Sequence, residues 1–175
     1  MTIGRRLAAG ALALVATFGI LAAGAAVARQ ATVTSPVARA MRLSGVAGYG
    51  LAAPTGTPLV RLRLRNGVDL QAVCDRVLAR LEPVFGTAPQ LAVAGPGQAR
   101  LQPLLEAVSV PVEQGIATGR FVAMSSAVER MARAQGLGAR VEVDARAVYV
   151  TLVAPGGRGD AYALFTRSPA PAVAS

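Results

Sequence analysis

The sequence predicts an α+β fold in which two strand-helix halves pack their helices on one face of an antiparallel sheet. In the first half, residues 59–65 alternate apolar and basic side chains, which is the period of a strand with one buried and one solvated face. Residues 70–81 then place apolar side chains at helical spacing, which indicates a helix with one buried stripe. Because a similar set recurs after residue 119, we expect each half to bury its apolar face against the other.

The N-terminal segment has the pattern of an export signal. Two arginines precede an uncharged apolar run from residue 7 to 28, which ends in the small-x-small cleavage pattern Ala26-Val27-Ala28. The run is also long enough to span a bilayer, so a cleaved signal peptide and a retained membrane anchor both remain open. In either case the flanking arginines predict an extracytoplasmic protein, secreted or anchored to the cytoplasmic membrane by this N-terminal helix.

Composition divides the chain into four segments. Residues 1–28 are the signal peptide or membrane anchor, and residues 29–45 are a linker with a short helix that Ser35-Pro36 begins. Residues 46–167 form the α+β domain. We expect the Pro/Ala-rich residues 168–175 to be a disordered tail.

The first half begins with a hairpin of strands 46–53 and 58–65. The following helix starts after Asp69, whose carboxylate can accept hydrogen bonds from the free amides of the first turn. Pro83 and Gly86 are predicted to end that helix. The single cysteine, Cys74, lies on its apolar stripe and is therefore predicted to be a core residue.

A short strand and a short helix are predicted next. Residues 90–94 form the strand, which Gly95-Pro96-Gly97 ends. Residues 99–108 have helical spacing, in which Pro103 must either kink the helix or lie in its first turn.

The second half is predicted to begin with a strand at residues 120–124 and a helix at residues 125–135. Ser126 and Glu129 have the spacing of a capping box at the start of that helix. Two paired strands follow at residues 140–144 and 147–153, joined by a tight turn. A glycine-rich loop at residues 155–160 then leads to a last strand at residues 161–167.

Composition excludes several classes of chemistry. The 175 residues contain no histidine, so catalytic triads or dyads that need histidine and histidine metal ligands are impossible, and we expect neither a cofactor nor a metal site. All eighteen basic residues are arginine, and the net charge is +9. The charge is spread along the chain without interleaved aromatic residues, so sequence-specific nucleic-acid binding is not expected.

Arg61, Arg63 and Arg65 are the candidate binding residues. Three guanidinium groups in line on a strand face are suited to a polyanion such as a wall polymer, phospholipid head groups or nucleic acid, although a solvated sheet face has the same pattern. Two glycine motifs are weaker candidates. Gly95-Pro96-Gly97 is an anion loop or a turn, and Arg158-Gly159-Asp160 is an adhesion tripeptide or a chance match.

Residues 119–155 also carry a family resemblance. The segment reads as a strand Gly-Arg-Phe-Val-Ala-Met, a helix Ser-Ser-Ala-Val-Glu-Arg-Met-Ala-Arg-Ala-Gln-Gly-Leu-Gly-Ala and a strand Ala-Val-Tyr-Val-Thr-Leu-Val-Ala-Pro. It resembles the YwmB family of secreted proteins from spore-forming bacteria. The resemblance implies a fold similar to that of the TATA-box-binding protein and a location outside the cytoplasm, and it implies no site residue.

These observations predict a non-catalytic binding or assembly module of the bacterial cell envelope, and the resemblance implies that the bacterium is a spore-former. An envelope protein or a wall polymer would be its partner, and the N-terminal segment would bind the membrane if it is not cleaved. Two alternatives remain open. One is an enzyme that uses carboxylates alone, which requires two of the nine acidic side chains to converge in a cleft. The other is a module that binds peptidoglycan or another wall polymer.

Overall fold

The computed structural model describes residues 35–43, 45–52 and 57–167. These residues have the predicted α+β fold, built from four α-helices, one short 3-10 helix and two three-stranded sheets. The predicted signal or anchor at residues 1–28 and the predicted tail at residues 168–175 lie outside the described residues. The predicted linker contains one short helix, α1 (Ser35–Ala40), which begins at the predicted Ser35-Pro36.

Sheet A contains β1 (Val46–Ala52), β2 (Leu59–Leu64) and β3 (Gln90–Ala94), in that order. β1 and β2 pair antiparallel, as the predicted hairpin requires, whereas β2 and β3 pair parallel. The parallel pair exists because helix α2 (Leu70–Phe85) lies between β2 and β3 in the chain and returns it to the same end of the sheet.

Helix α2 has the predicted start and nearly the predicted end. The Asp69 carboxylate accepts a hydrogen bond from the amide of Ala72 at 2.8 Å, and Gly86 ends the helix with φ of 72°. Pro83 lies inside α2, so the prediction that it stops the helix was wrong. Five residues of the predicted apolar stripe are buried on α2: Leu70, Val73, Cys74, Val77 and Leu81. The sixth, Leu78, is only half-buried.

Two long helices follow, where the sequence predicted a short helix and then a strand. α3 (Gln98–Thr118) continues through both of its prolines, Pro103 and Pro111. α4 (Phe121–Ala134) begins two residues after the left-handed glycine that ends α3. The predicted strand at residues 120–124 is therefore wrong, and the element order of residues 119–155 differs from the one in the YwmB resemblance.

The predicted capping box is also wrong. Ser126 lies in the middle of α4, which begins at Phe121 without a side-chain cap. Glu129 instead forms an exposed ion pair with Arg133 one turn later, at 3.6 Å. A pair of this kind contributes little to stability.

Gly115 sets the distance between α3 and α4. A methyl group at this position would lie 2.6 Å from Sδ of Met124, which is buried on α4. Glycine is therefore required for the two helices to pack this closely.

Sheet B contains β4 (Gly138–Val143), β5 (Ala147–Val153) and β6 (Ala161–Thr166), all antiparallel, with a 3-10 turn (Pro155–Gly157) before the last strand. One core lies between this sheet and α3 and α4. The central strand β5 is buried on both faces, because α2 lies near the face opposite that core. None of the described helices is long and apolar enough to cross a membrane.

Candidate functional site

The arginine row comprises Arg61, Arg63 and Arg65. Arg61 and Arg63 lie on the exposed face of sheet A, and Arg65 is the residue directly after the end of β2. The alternation predicted from the sequence is present: Val60, Leu62 and Leu64 are buried on the opposite face, and all three arginines are exposed. Residues two apart on a strand are separated by about 7 Å, so the row spans about 13 Å.

Small residues flank the arginine row on both neighbouring strands. Gly50 and Gly48 of β1 are the register partners of Arg61 and Arg63, respectively. On the other side, Ala92 and Ala94 of β3 are the partners of the same two arginines. Since register partners share a face of the sheet, Arg61 and Arg63 are bordered by small residues on both sides.

Gly48 leaves room for the side chain of Arg63. A methyl group at position 48 would lie 3.4 Å from Nε and 3.5 Å from a terminal nitrogen of Arg63, which is ordinary van der Waals contact. The guanidinium group of Arg63 therefore lies over Gly48 in β1.

The charge on this face is not compensated within the described residues. No acidic residue occurs in β1, β2 or β3. The two ion pairs of the described chain, Arg133 with Glu129 and Arg146 with Asp75, do not involve the arginine row. Uncompensated guanidinium groups retain their full attraction for an anion and can bind phosphate in a bidentate geometry.

The end of the arginine row is held by a buried tyrosine. The amide of Arg65 donates to the carbonyl of Gly45 at 2.9 Å, and the hydroxyl of Tyr162 donates to the carbonyl of Arg65 at 2.7 Å. Tyr162 is fully buried, and its burial raises its pKa to about 12. The neutral hydroxyl therefore keeps its proton for this hydrogen bond at any physiological pH.

Asp160 joins this end of β2 to the loop before β6. It is 5% exposed, and its carboxylate accepts hydrogen bonds from the amides of Gly67 at 2.7 Å and Ala154 at 3.3 Å. Its own amide donates to the side-chain oxygen of Asn66 at 2.9 Å. Because this carboxylate is buried and partnered, the Arg158-Gly159-Asp160 tripeptide is a structural element and is not displayed for adhesion.

The Gly95-Pro96-Gly97 loop packs against the segment that contains Asp160. The amide of Gly97 donates to the carbonyl of Asp160 at 2.9 Å. A methyl group at Gly95 would lie 2.2 Å from the carbonyl oxygen of Asp160, and one at Gly97 would lie 2.1 Å from that of Gly159. The two glycines thus allow two backbones to touch, and the loop is a packing turn.

A second cluster of titratable groups surrounds Cys74. Burial, together with the charges of Asp75 and Asp144, raises the pKa of Cys74 to about 12. Burial and a hydrogen bond from its hydroxyl to Asp144 also raise the pKa of Tyr149. Both groups are therefore protonated at neutral pH, and a buried neutral thiol is a poor nucleophile.

Asp144 serves the turn between β4 and β5. Its carboxylate accepts hydrogen bonds from the amides of Arg146 and Ala147, each at 2.7 Å, and from the hydroxyl of Tyr149 at 2.9 Å. Desolvation alone would raise the pKa of Asp144, but these hydrogen bonds outweigh it and the pKa is lowered. A carboxylate with a lowered pKa is a weak general base near neutral pH.

A groove of about 380 Å³ lies between β3, β6 and α3. Ala92, the partner of Arg61, lines it, so the groove begins one strand away from the arginine row. Glu106 is the one carboxylate among its lining residues. Within the described ranges, no group of three acidic or cysteine side chains is placed to hold a metal ion.

The comparisons with known proteins give no relative for this chain. It matches no family model, and searches of curated proteins and of solved structures found no match either.

Proposed function

We propose that this chain is a non-catalytic binding or assembly module of the bacterial cell envelope, which binds an anionic partner on the exposed face of sheet A. The observation that carries the proposal is the arginine row. Its three arginines are exposed, and no acidic residue occurs in the strands of the sheet. The register partners of Arg61 and Arg63 are glycine and alanine, so a partner can approach the sheet closely.

The roles of three of the carboxylates support a non-catalytic protein over the enzyme that uses carboxylates alone. Asp69 caps α2, Asp144 orders the β4–β5 turn, and Asp160 accepts hydrogen bonds from backbone amides in the interior. Each of these side chains is occupied by backbone amides rather than aimed into a cleft. A catalytic pair needs two carboxylates about 5–10 Å apart with space for a substrate between them.

The export pattern of residues 1–28 supports a location outside the cytoplasm. A reporter that is active only in that compartment, fused after Ala52, tests the location.

Chemical footprinting tests the binding face. The full chain is treated with phenylglyoxal, which modifies arginine, with and without poly(glycerol phosphate), and labelling at each arginine is measured by mass spectrometry. We expect protection of Arg61, Arg63 and Arg65, since bound phosphates cover their guanidinium groups.

Three exposed arginines outside sheet A serve as internal controls in the same sample: Arg76, Arg80 and Arg130. Equal protection of both sets would show diffuse attraction by net charge, and protection of the controls alone would place the binding face elsewhere. Neutral dextran replaces the polymer in a parallel sample, in which no arginine should be protected.

A further inference from the structure

We propose that the arginine row binds an extended, linear poly(polyol phosphate), one phosphate per guanidinium group. This inference rests on the proposed function and names the chemistry of the partner.

The shape of the charge favours a single polymer chain. The basic residues of the face all come from one stretch of chain, residues 61–65, because the strands on either side contribute only glycine and alanine at the partner positions of Arg61 and Arg63. A planar anionic surface such as a bilayer is best matched by charges spread in two dimensions. A single line instead matches a single polymer chain.

The spacing of the arginines favours the same kind of polymer. Arg61 and Arg63 leave β2 about 7 Å apart, which suits a polymer whose phosphates are separated by a short polyol unit. Three such contacts span about 13 Å, the length of the row. The bidentate geometry of guanidinium and phosphate then fixes each phosphate in place.

The residues beside the row favour this polymer over single-stranded nucleic acid. Nucleic acid has a similar phosphate spacing, but proteins that bind it supply aromatic side chains on which the bases stack. The positions that flank Arg61 and Arg63 on this face are Gly48, Gly50, Ala92 and Ala94, which offer no stacking surface. A polymer without bases needs no stacking surface, so it can bind such a face.

A series of glycerol phosphate oligomers tests the inference on the full chain. Binding is measured for oligomers of one to about six phosphates, and we expect affinity to rise steeply up to three phosphates and then to level off. With three phosphates bound, the logarithm of affinity should fall with the logarithm of salt concentration with a slope of about −2. A monophosphate that binds as tightly as the trimer would overturn the proposal.

A blocking variant separates a linear site from net charge. Gly50 has a negative φ, and a Cβ added there meets nothing within 4 Å, so we expect Gly50→Leu to fold normally. Leucine would stand beside Arg61 and hold a polymer away from the row without changing the charge. We expect Gly50→Leu to weaken binding of the trimer, whereas unchanged affinity in this variant would contradict the proposal.

Two competing ligands complete the test. Thymidine oligomers with the same number of phosphates should bind no tighter than the glycerol phosphate oligomers, and much tighter binding would assign the face to nucleic acid. Vesicles with about one third anionic lipid should bind the arginine row no tighter, per phosphate, than the glycerol phosphate oligomers do. Tighter vesicle binding that is lost on replacing the row with glutamine would assign the face to membranes. In both cases the anion-binding function would survive, and only the named polymer would fail.

Discussion

Replacing Asp160 with alanine is expected to destabilise the protein by about 3–5 kcal/mol, because it removes a buried acceptor from two backbone amides at once. The amides of Gly67 and Ala154 would both lose this partner. The same change loosens the loop that packs on Gly97. Urea unfolding followed by circular dichroism measures the loss.

Asp69→Ala is the matched control for Asp160→Ala. Asp69 also accepts a backbone hydrogen bond, but it does so at an exposed helix terminus, and its loss should cost about 1 kcal/mol. Equal losses in the two variants would mean that water replaces the Asp160 carboxylate, and that this residue does not join the β2–α2 turn to the loop before β6.

Cys74→Asp is expected to cost roughly 3–5 kcal/mol, because it places a carboxylate at a position that is 1% exposed. The charges of Asp75 and Asp144, which raise the pKa of the native thiol, would also oppose ionisation of the new carboxylate. The native thiol should for the same reasons react slowly with a thiol reagent until the protein unfolds. Urea unfolding of the variant and the labelling rate of the wild type measure the two effects.

Ala79→Asp provides the control on the same helix. Ala79 is exposed on α2, so an added carboxylate there remains solvated and should change stability by less than about 1 kcal/mol. Cys74→Ala separates the loss of packing from the burial of charge. Rapid labelling of native Cys74, or a mild effect of Cys74→Asp, would contradict its place in the core.

Local patterns predicted the first half of the domain well. The hairpin, the cap at Asp69 and the buried stripe of α2 depend on residues close together in sequence, where alternation, capping chemistry and helical spacing act directly. The exposure of the arginine row follows from the same alternation. The small residues that flank it belong to strands whose register had to be seen in the structure.

The error at residues 120–124 has a physical cause. A short apolar run is compatible with a strand or with a helix, and the choice depends on what it packs against. The helix α4 has one buried stripe at helical spacing, formed by Met124, Val128 and Ala132. Met124 lies in the predicted strand, and its neighbour Val122 is 84% exposed. Packing of Met124 on Gly115 of α3 favours the helix, and that contact lies beyond any local pattern.

The role of Asp160 could not be predicted from the sequence for a related reason. Its partner Gly67 is 93 residues away, and nothing in the loop before β6 distinguishes a buried carboxylate from a solvated one. The sequence did single out two of the segments that meet there, Gly95-Pro96-Gly97 and Arg158-Gly159-Asp160. Their contact is a property of the tertiary fold.

The arginine row is tested most directly by two triple variants that lower the net charge equally. One replaces Arg61, Arg63 and Arg65 with glutamine, and the other replaces Arg76, Arg80 and Arg130, which are exposed outside sheet A. Both should keep stability within about 1 kcal/mol of the wild type, because all six side chains are solvated. The measurement is affinity for poly(glycerol phosphate) as a function of salt.

The account predicts that the first triple variant loses most of its affinity and that its salt slope falls from about −2 towards zero, while the second keeps most of both. Equal losses in the two variants, or binding by neither the variants nor the wild type, would contradict a binding site on the exposed face of sheet A.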